Sequence, residues 1–262
     1  MDYTSADFKI QYISTYTLYI NSDYTNDQVV VLDNENCVLV LKTYGASQPS
    51  QDVAKLLSLP FQRVYIALPH QNLVWVPTTV FRDSDIDDFV PFFEGSGRIL
   101  SKEFPSLGVT ALYQYDVLLY SRWRKIFAEA HFVPVFEVTL KQAQPQIPIQ
   151  GSVLGVYVYD SQVDLFLFEH GEFKFYNTFE VATADDMSYF VLQLFKNLGI
   201  AEKVGKVLLS GADAQSTWGQ RLALYTDNLE MVKAKNRWTV ASADISDVVG
   251  DFNMLADSVL CV

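Results

Sequence analysis

Several places in this sequence carry residue types that could do chemistry. The densest is Asp83-Ser84-Asp85-Ile86-Asp87-Asp88-Phe89-Val90-Pro91-Phe92-Phe93-Glu94. Its carboxylates fall at the first, third, fifth and twelfth places of a calcium-binding loop, where oxygen ligands surround a hard cation. The sixth place, which needs glycine for a sharp turn, is Asp88, and Ile86 and three phenylalanines are too apolar for a solvated loop. The segment reads instead as an acid-capped amphipathic helix with Ile86, Phe89, Val90 and Phe93 on one face. His70, His131 and His170 stand apart from each other and from the cysteines, so no metal site is expected. His70 and His170 read as turn residues, and His131 as the end of a helix, beside its dipole. The turns at 21–27 and Asp160-Ser161-Gln162 join strand to returning strand through small polar residues. Backbone N–H groups in such turns can bind phosphate oxygens, and a nearby carboxylate can hold magnesium or orient water. Ordinary hairpin chemistry is the weightier reading of both. Neither a nucleophile elbow nor a dinucleotide or P-loop glycine pattern occurs, and Gly95-Ser96-Gly97 reads as a connector.

The elements that must position these residues form a pattern that occurs twice. Segment 151–179, GSVLGVYVYDSQVDLFLFEHGEFKFYNTF, reads as three antiparallel strands with short turns, and 16–44 is a looser copy. A short helix at 52–59, strands at 63–68 and 73–81, the helix in the acidic segment and a strand at 109–115 follow the first copy. A helix at 116–130 and a strand at 132–140 complete that half. Residues 142–150, QAQPQIPIQ, have linker composition. After the second copy comes a helix at 185–198 with apolar residues at helical spacing and Gly199 as its cap. A strand at 204–209 ending in Ser210-Gly211, a helix at 215–225, a weak strand at 230–233 and a final helix within 243–260 close the chain. The fold class is α/β, duplicated, with a mixed sheet flanked by helices in each half.

Composition bounds the function. The chain has 262 residues, half of them apolar, and a formal charge of −12. That charge argues against nucleic acid and against an anionic membrane surface. No apolar run reaches the length of a spanning helix, so no direct membrane insertion is expected. Cys37 and Cys261, far apart and with no export signal before them, read as free buried thiols, and a cytoplasmic location is the expectation.

The whole chain resembles the actin-like ATPase superfamily (actin, Hsp70, FtsA), whose lobes have a ribonuclease H-like core. Within it the chain most resembles PilM-like proteins, and also a bacterial family of unknown function with this fold. The repeated triple-strand unit carries the likeness first. Three further stretches add to it: VYIALPHQNLVWVPTTVF at 64–81, the acidic helix after it, and DVLLYSRWRKIFAEAHFVPVFEV at 116–138. The resemblance implies an N-terminal lobe over 1–146, with a PilM-like insertion at about 62–138, and a C-terminal lobe over 147–262. It implies a cleft for ATP with magnesium, touched by Asn21, Ser22, Asp23, Asp160, Ser161, Ser210, Gly211 and Ala212. The family's phosphate turns read Asp-x-Gly-Ser/Thr, and this chain departs from both. The first is Ile20-Asn21-Ser22-Asp23, without glycine; the second places Tyr157 at the acid and Tyr159 at the glycine or, with the alignment slipped by one residue, brings in Asp160. The adenosine motif, a strand followed by two glycines, is half present as Ser210-Gly211-Ala212. The expectation is a non-catalytic scaffold for a protein partner or for self-association, with no catalytic residue. The alternative is an ATP-binding switch or weak ATPase.

Overall fold

The structure is a computed structural model, and it describes residues 1–95, 97–240, 243–246 and 248–261. By internal contacts the chain divides into Met1–Phe136 and Glu137–Cys261.

The first unit holds β1 (Asp2–Thr4), a 3-10 turn at Ile10–Thr15, β2 (Thr17–Ser22), β3 (Asn26–Leu32), β4 (Val38–Gly45), α1 (Gln51–Leu57) and β5 (Arg63–Leu68). It continues with β6 (His70–Pro77), β7 (Leu100–Phe104), β8 (Val109–Tyr115), α2 (Val117–Ile126) and β9 (His131–Pro134). Its main sheet runs β1-β4-β3-β2-β5-β9, with β2–β3 and β3–β4 antiparallel and β2–β5 and β5–β9 parallel. Val29, Val30 and Val31 are all fully buried, so this sheet is covered on both faces. A separate sheet runs β6-β8-β7. Trp75, Phe104 and Tyr113 from its three strands close around the ring of Phe136 at 5.0–6.1 Å between centroids.

The helix α3 (Val135–Ala143) begins in the first unit and continues into the second. The second unit then holds β10 (Ser152–Tyr159), β11 (Gln162–Glu169), β12 (Glu172–Glu180), α4 (Ala184–Leu198), β13 (Lys206–Ser210), α5 (Thr217–Leu222), β14 (Leu229–Met231), α6 (Ala243–Ser246) and α7 (Asn253–Asp257). Its sheet runs β12-β11-β10-β13-β14. Third, second, first, fourth, fifth is also the order of β4-β3-β2-β5-β9, with the same parallel and antiparallel pairings. The duplication is thus a duplication of topology. One face of β10–β11 (Leu154, Val156, Val158, Val163, Leu165, Leu167) packs on Met187, Val191, Leu194 and Phe195 of α4. Strand alternation turns Gly155, Tyr157, Tyr159, Asp164 and Phe166 to the other face. Gly155 lies under the ring of Phe166: a Cβ there would fall 1.8 Å from it. Helix α4 starts on a capping box between Thr183 and Asp186 and ends at Gly199, at φ 72°.

Three expectations are corrected. Segment 132–140 is a strand only to Pro134; from Val135 it is helix. Val135, Phe136, Val138, Thr139 and Leu140 are all buried, so α3 lacks the polar face that marks a helix in a sequence. The acidic segment Asp83–Phe92 is a 3-10 helix, not an α-helix, and Pro91 near its end has no N–H to give to either kind of helix. Ile86, Phe89 and Phe93 are half-buried, whereas Val90 is exposed. In place of one final helix over 243–260 there are several short ones, and position 247 lies outside the described residues.

Candidate functional site

The first hairpin is closed by the pair Ser22–Asp27. Ser22 is buried and donates its hydroxyl to Asp27 Oδ1 at 2.6 Å. Arg122, from α2, brings its Nη2 to the same Asp27 oxygen at 2.7 Å and to Ser22 Oγ at 2.6 Å. Its Nη1 reaches the carbonyl of Ala46 at 3.3 Å. Burial pushes the Asp27 carboxyl above its ordinary value, against the pull of Ser22 and Arg122. Asn21, also buried, donates its amide to Gln28 Oε1 at 3.3 Å. Asp23 caps its own turn: its Oδ1 accepts from the N–H of Thr25 at 2.8 Å and of Asn26 at 2.6 Å.

In the second hairpin Asp160 and Ser161 form a two-residue turn, both exposed, with Asp160 at φ 49°. The Ser161 carbonyl accepts from the Val181 N–H at 2.8 Å. Tyr157 and Tyr159 are buried side by side, ring centroids 4.8 Å apart. Between them and β12 lies Asp164, fully buried. Its Oδ1 accepts from Thr178 Oγ1 at 2.6 Å and from the Tyr159 hydroxyl at 3.0 Å, and its Oδ2 from the Tyr176 hydroxyl at 2.6 Å. Thr139 of α3 shares a hydrogen bond with Tyr176. Burial pushes the Asp164 carboxyl up to about 6, although three hydroxyls favour its ionised form. Burial and the Asp164 charge hold the Tyr159 and Tyr176 phenols far above their usual range.

Beside this hairpin, Ser210 stands in register with Tyr157. It is buried, and its hydroxyl accepts from Asn253 Nδ2 at 2.8 Å. Gly211 has φ 78°, and a Cβ on it would fall 1.9 Å from the Val158 carbonyl oxygen. That approach of backbone to backbone accounts for the glycine. Ala212 packs against the core under α4.

The nominated residues therefore form two groups: Asn21, Ser22 and Asp23 at the end of β2, and Asp160, Ser161 and Ser210–Ala212 around the end of β10. Sequence reasoning missed Arg122, Asp164, Tyr176 and Thr178. Asp164 had a signal, as the one acid in the apolar run Val163–Phe168. Arg122 had none, being 95 residues from Asp27.

Other expectations need correction. His70 opens β6 and is buried, which pushes its imidazole down to about 4. His131 opens β9, beyond the end of α2, and stacks on Tyr65 at 5.3 Å. Cys37 and Cys261 form no disulfide but are only half-buried. Ser96, in the Gly95-Ser96-Gly97 connector, lies outside the described residues. Among the described residues no group of three His, Cys, Asp or Glu could hold a metal ion, and no helix is long and apolar enough to cross a membrane.

Solved structures share this architecture. A Bacteroides thetaiotaomicron protein with actin-like ATPase fold and unknown function matches with a TM-score of 0.67 at 16% identity, over 86% of this chain and 93% of that one. A chain of the PilM–PilN type IV pilus biogenesis complex matches with a TM-score of 0.56 at 12% identity, over 94% and 98%. At such identities the likeness shows the fold alone, and the fold is that of the actin-like ATPases. Comparison of the sequence with curated proteins finds no match. The model of one family covers residues 5–229, and the chain belongs to that family, described as a protein of unknown function (DUF3822).

Proposed function

We propose that this chain is a non-catalytic, protein-binding scaffold on the actin-like fold, with its phosphate-holding places taken over by its own side chains. The observation that carries the reading is the Tyr157–Tyr159 pair, buried and stacked at the end of β10. The resemblance puts the acid and the glycine of a phosphate turn at these two positions. A phosphate needs bare backbone N–H groups and room to approach them. Two phenol rings fill that room, and the hydroxyl of Tyr159 is bound to Asp164.

The first hairpin supports the same reading by a different route. The N–H groups of Thr25 and Asn26 already point at the Asp23 carboxylate. A turn capped by its own carboxylate offers an incoming phosphate repulsion in place of donors. Ser210 is bound to Asn253, and Gly211 is explained by its contact with Val158. The residues present do not fit ATP with magnesium. PilM, on the same fold, occurs in a complex with PilN, which is the precedent for a protein partner. Two half-buried cysteines outside any disulfide are in keeping with a reducing cytoplasm.

Calorimetric titration of the purified protein with ATP and with ADP, each with magnesium, tests this. The expected result is no saturable heat up to about millimolar nucleotide, the weak end of the affinity scale. Micromolar binding, lost when Asp23 and Asp160 are both replaced by Ala, would overturn the reading in favour of a nucleotide switch.

A further inference from the structure

The acidic segment Asp83–Phe92 joins two features rarely left together on a surface. It is fastened at both ends to the small sheet: Thr78 Oγ1 lies 3.1 Å from Thr110 Oγ1, and Asn72 Nδ2 donates to the Glu94 carbonyl at 3.0 Å. Phe89 is in ring contact with Phe81 and with Phe92, at 6.1 and 6.2 Å. The outer side of the segment is apolar and open, with Val80 69%, Phe92 67% and Val90 52% exposed. Scattered single apolar residues are ordinary on a surface. These fall within one stretch of the chain in which no residue of the 3-10 helix is buried.

The charge of the same stretch says what would cover it. Residues 82–94 carry five carboxylates (Asp83, Asp85, Asp87, Asp88, Glu94) against one arginine. Among the described residues, none of these carboxylates takes part in an ion pair. An anionic lipid surface would be repelled. A second copy of this chain would bring its own net charge of −12 to the contact. A basic segment with apolar anchors satisfies both features.

We infer that the outer face of Asp83–Phe92 docks a cationic segment of a partner protein, its Lys or Arg over Asp87 and Asp88 and a large apolar side chain against Val90 and Phe92. This names the partner class for the protein-binding reading above and rests on it. Apolar contact supplies the affinity, and the carboxylates supply the on-rate and the choice of partner.

The test is selection of short random peptides displayed on phage against the wild-type protein. The selected peptides are then titrated by fluorescence anisotropy. Two variants accompany the wild type: D87N/D88N/F92S, and a charge-matched control, E129Q/E202Q, at exposed positions outside the segment. The expected peptides are rich in Lys and Arg with a Leu- or Phe-type anchor. Their affinity falls by about tenfold or more in the triple variant, the size of effect that truncating an interface anchor gives. It stays within about twofold in the control and weakens as salt shortens the Debye length. The substituted side chains are exposed, so an unchanged urea midpoint shows that the variant folds. No enrichment, enrichment without basic bias, or equal loss in both variants would overturn the inference. Nucleotide titration reads the two hairpins and not this face, so the two readings fail separately. ATP binding would sink the scaffold reading, and absent peptide selection would sink the docking surface.

Discussion

The two hairpins of the repeated unit share a topology and differ in how each keeps an aspartate out of water. In the first, Asp27 meets a cation: Arg122 lies at 2.7 Å, with a side chain only 29% exposed. In the second, Asp164 has no cation among its partners and is held by the hydroxyls of Tyr159, Tyr176 and Thr178. In both, burial pushes the carboxyl above its ordinary value, and at Asp27 the Ser22 hydroxyl and the Arg122 charge pull back. At Asp164 only hydroxyls pull back, and the carboxyl still moves up to about 6. The same backbone plan thus admits an electrostatic closure in one unit and a shared hydrogen-bond closure in the other.

The largest way to break this comparison is to remove the cation. Arg122→Met leaves Asp27 buried without its partner, and the loss is expected at about 3 kcal/mol, the low end for broken buried pairs because Arg122 is partly exposed. Urea denaturation measures it. Adding Asp27→Asn should recover most of the loss; a double variant no better than the single one would show that Arg122 acts through packing instead.

A smaller effect reads the second hairpin by pH. Folded Asp164 holds its proton up to about 6, above the ordinary carboxylate value of 3.8. Between those values the native state binds more protons than the unfolded one, so this contribution is present below the window and lost as pH rises through it. Its size is at most about 3 kcal/mol. Asp186, Glu172 and Glu230 titrate with depressed values and pull the opposite way. The quantity to read is therefore wild type minus Asp164→Asn. That difference should change across the window and be flat above it. A flat difference throughout would mean that the hydroxyls fully offset burial. At fixed neutral pH, Asp164→Ala strands two buried phenol hydroxyls and the half-buried hydroxyl of Thr178 and should lose about 2 kcal/mol, whereas Asp164→Asn should lose less.

How much of this was legible in the sequence follows range and environment. The triple-strand repeat, the helix over 185–198 and the cap at Gly199 rest on local periodicity, and they stand. Helix α3 was hidden because burial all round erases the polar face. The spacing over 83–93 suggests an α-helix, with Pro91 the one residue against it, and the segment is 3-10. The site was less legible still. Asp27–Arg122 and Ser210–Asn253 join residues 95 and 43 apart, and no spacing rule connects them. The departure of Tyr157 and Tyr159 from the family's phosphate turn was visible in the sequence. That the two rings stack and share a face with Asp164 was not.

The smallest effects sharpen the comparison at the turns themselves, where the two hairpins should respond with opposite sign. Asp23 accepts two N–H groups of its own turn. Asp23→Ala leaves those donors to water and should destabilise by about 1 kcal/mol, as losing a capping side chain does at a helix start. Asp160 instead holds a left-handed backbone, φ 49°, which L-residues adopt at some strain and glycine adopts freely. Asp160→Gly relieves that strain but gives the unfolded chain more freedom to lose. The exposed turn leaves the strain the larger of the two, so a net gain of about 0.5 kcal/mol is expected. Thermal melts of the two single variants beside the wild type decide it. If both lowered the midpoint, the second turn would owe its shape to the Asp160 side chain as the first does to Asp23.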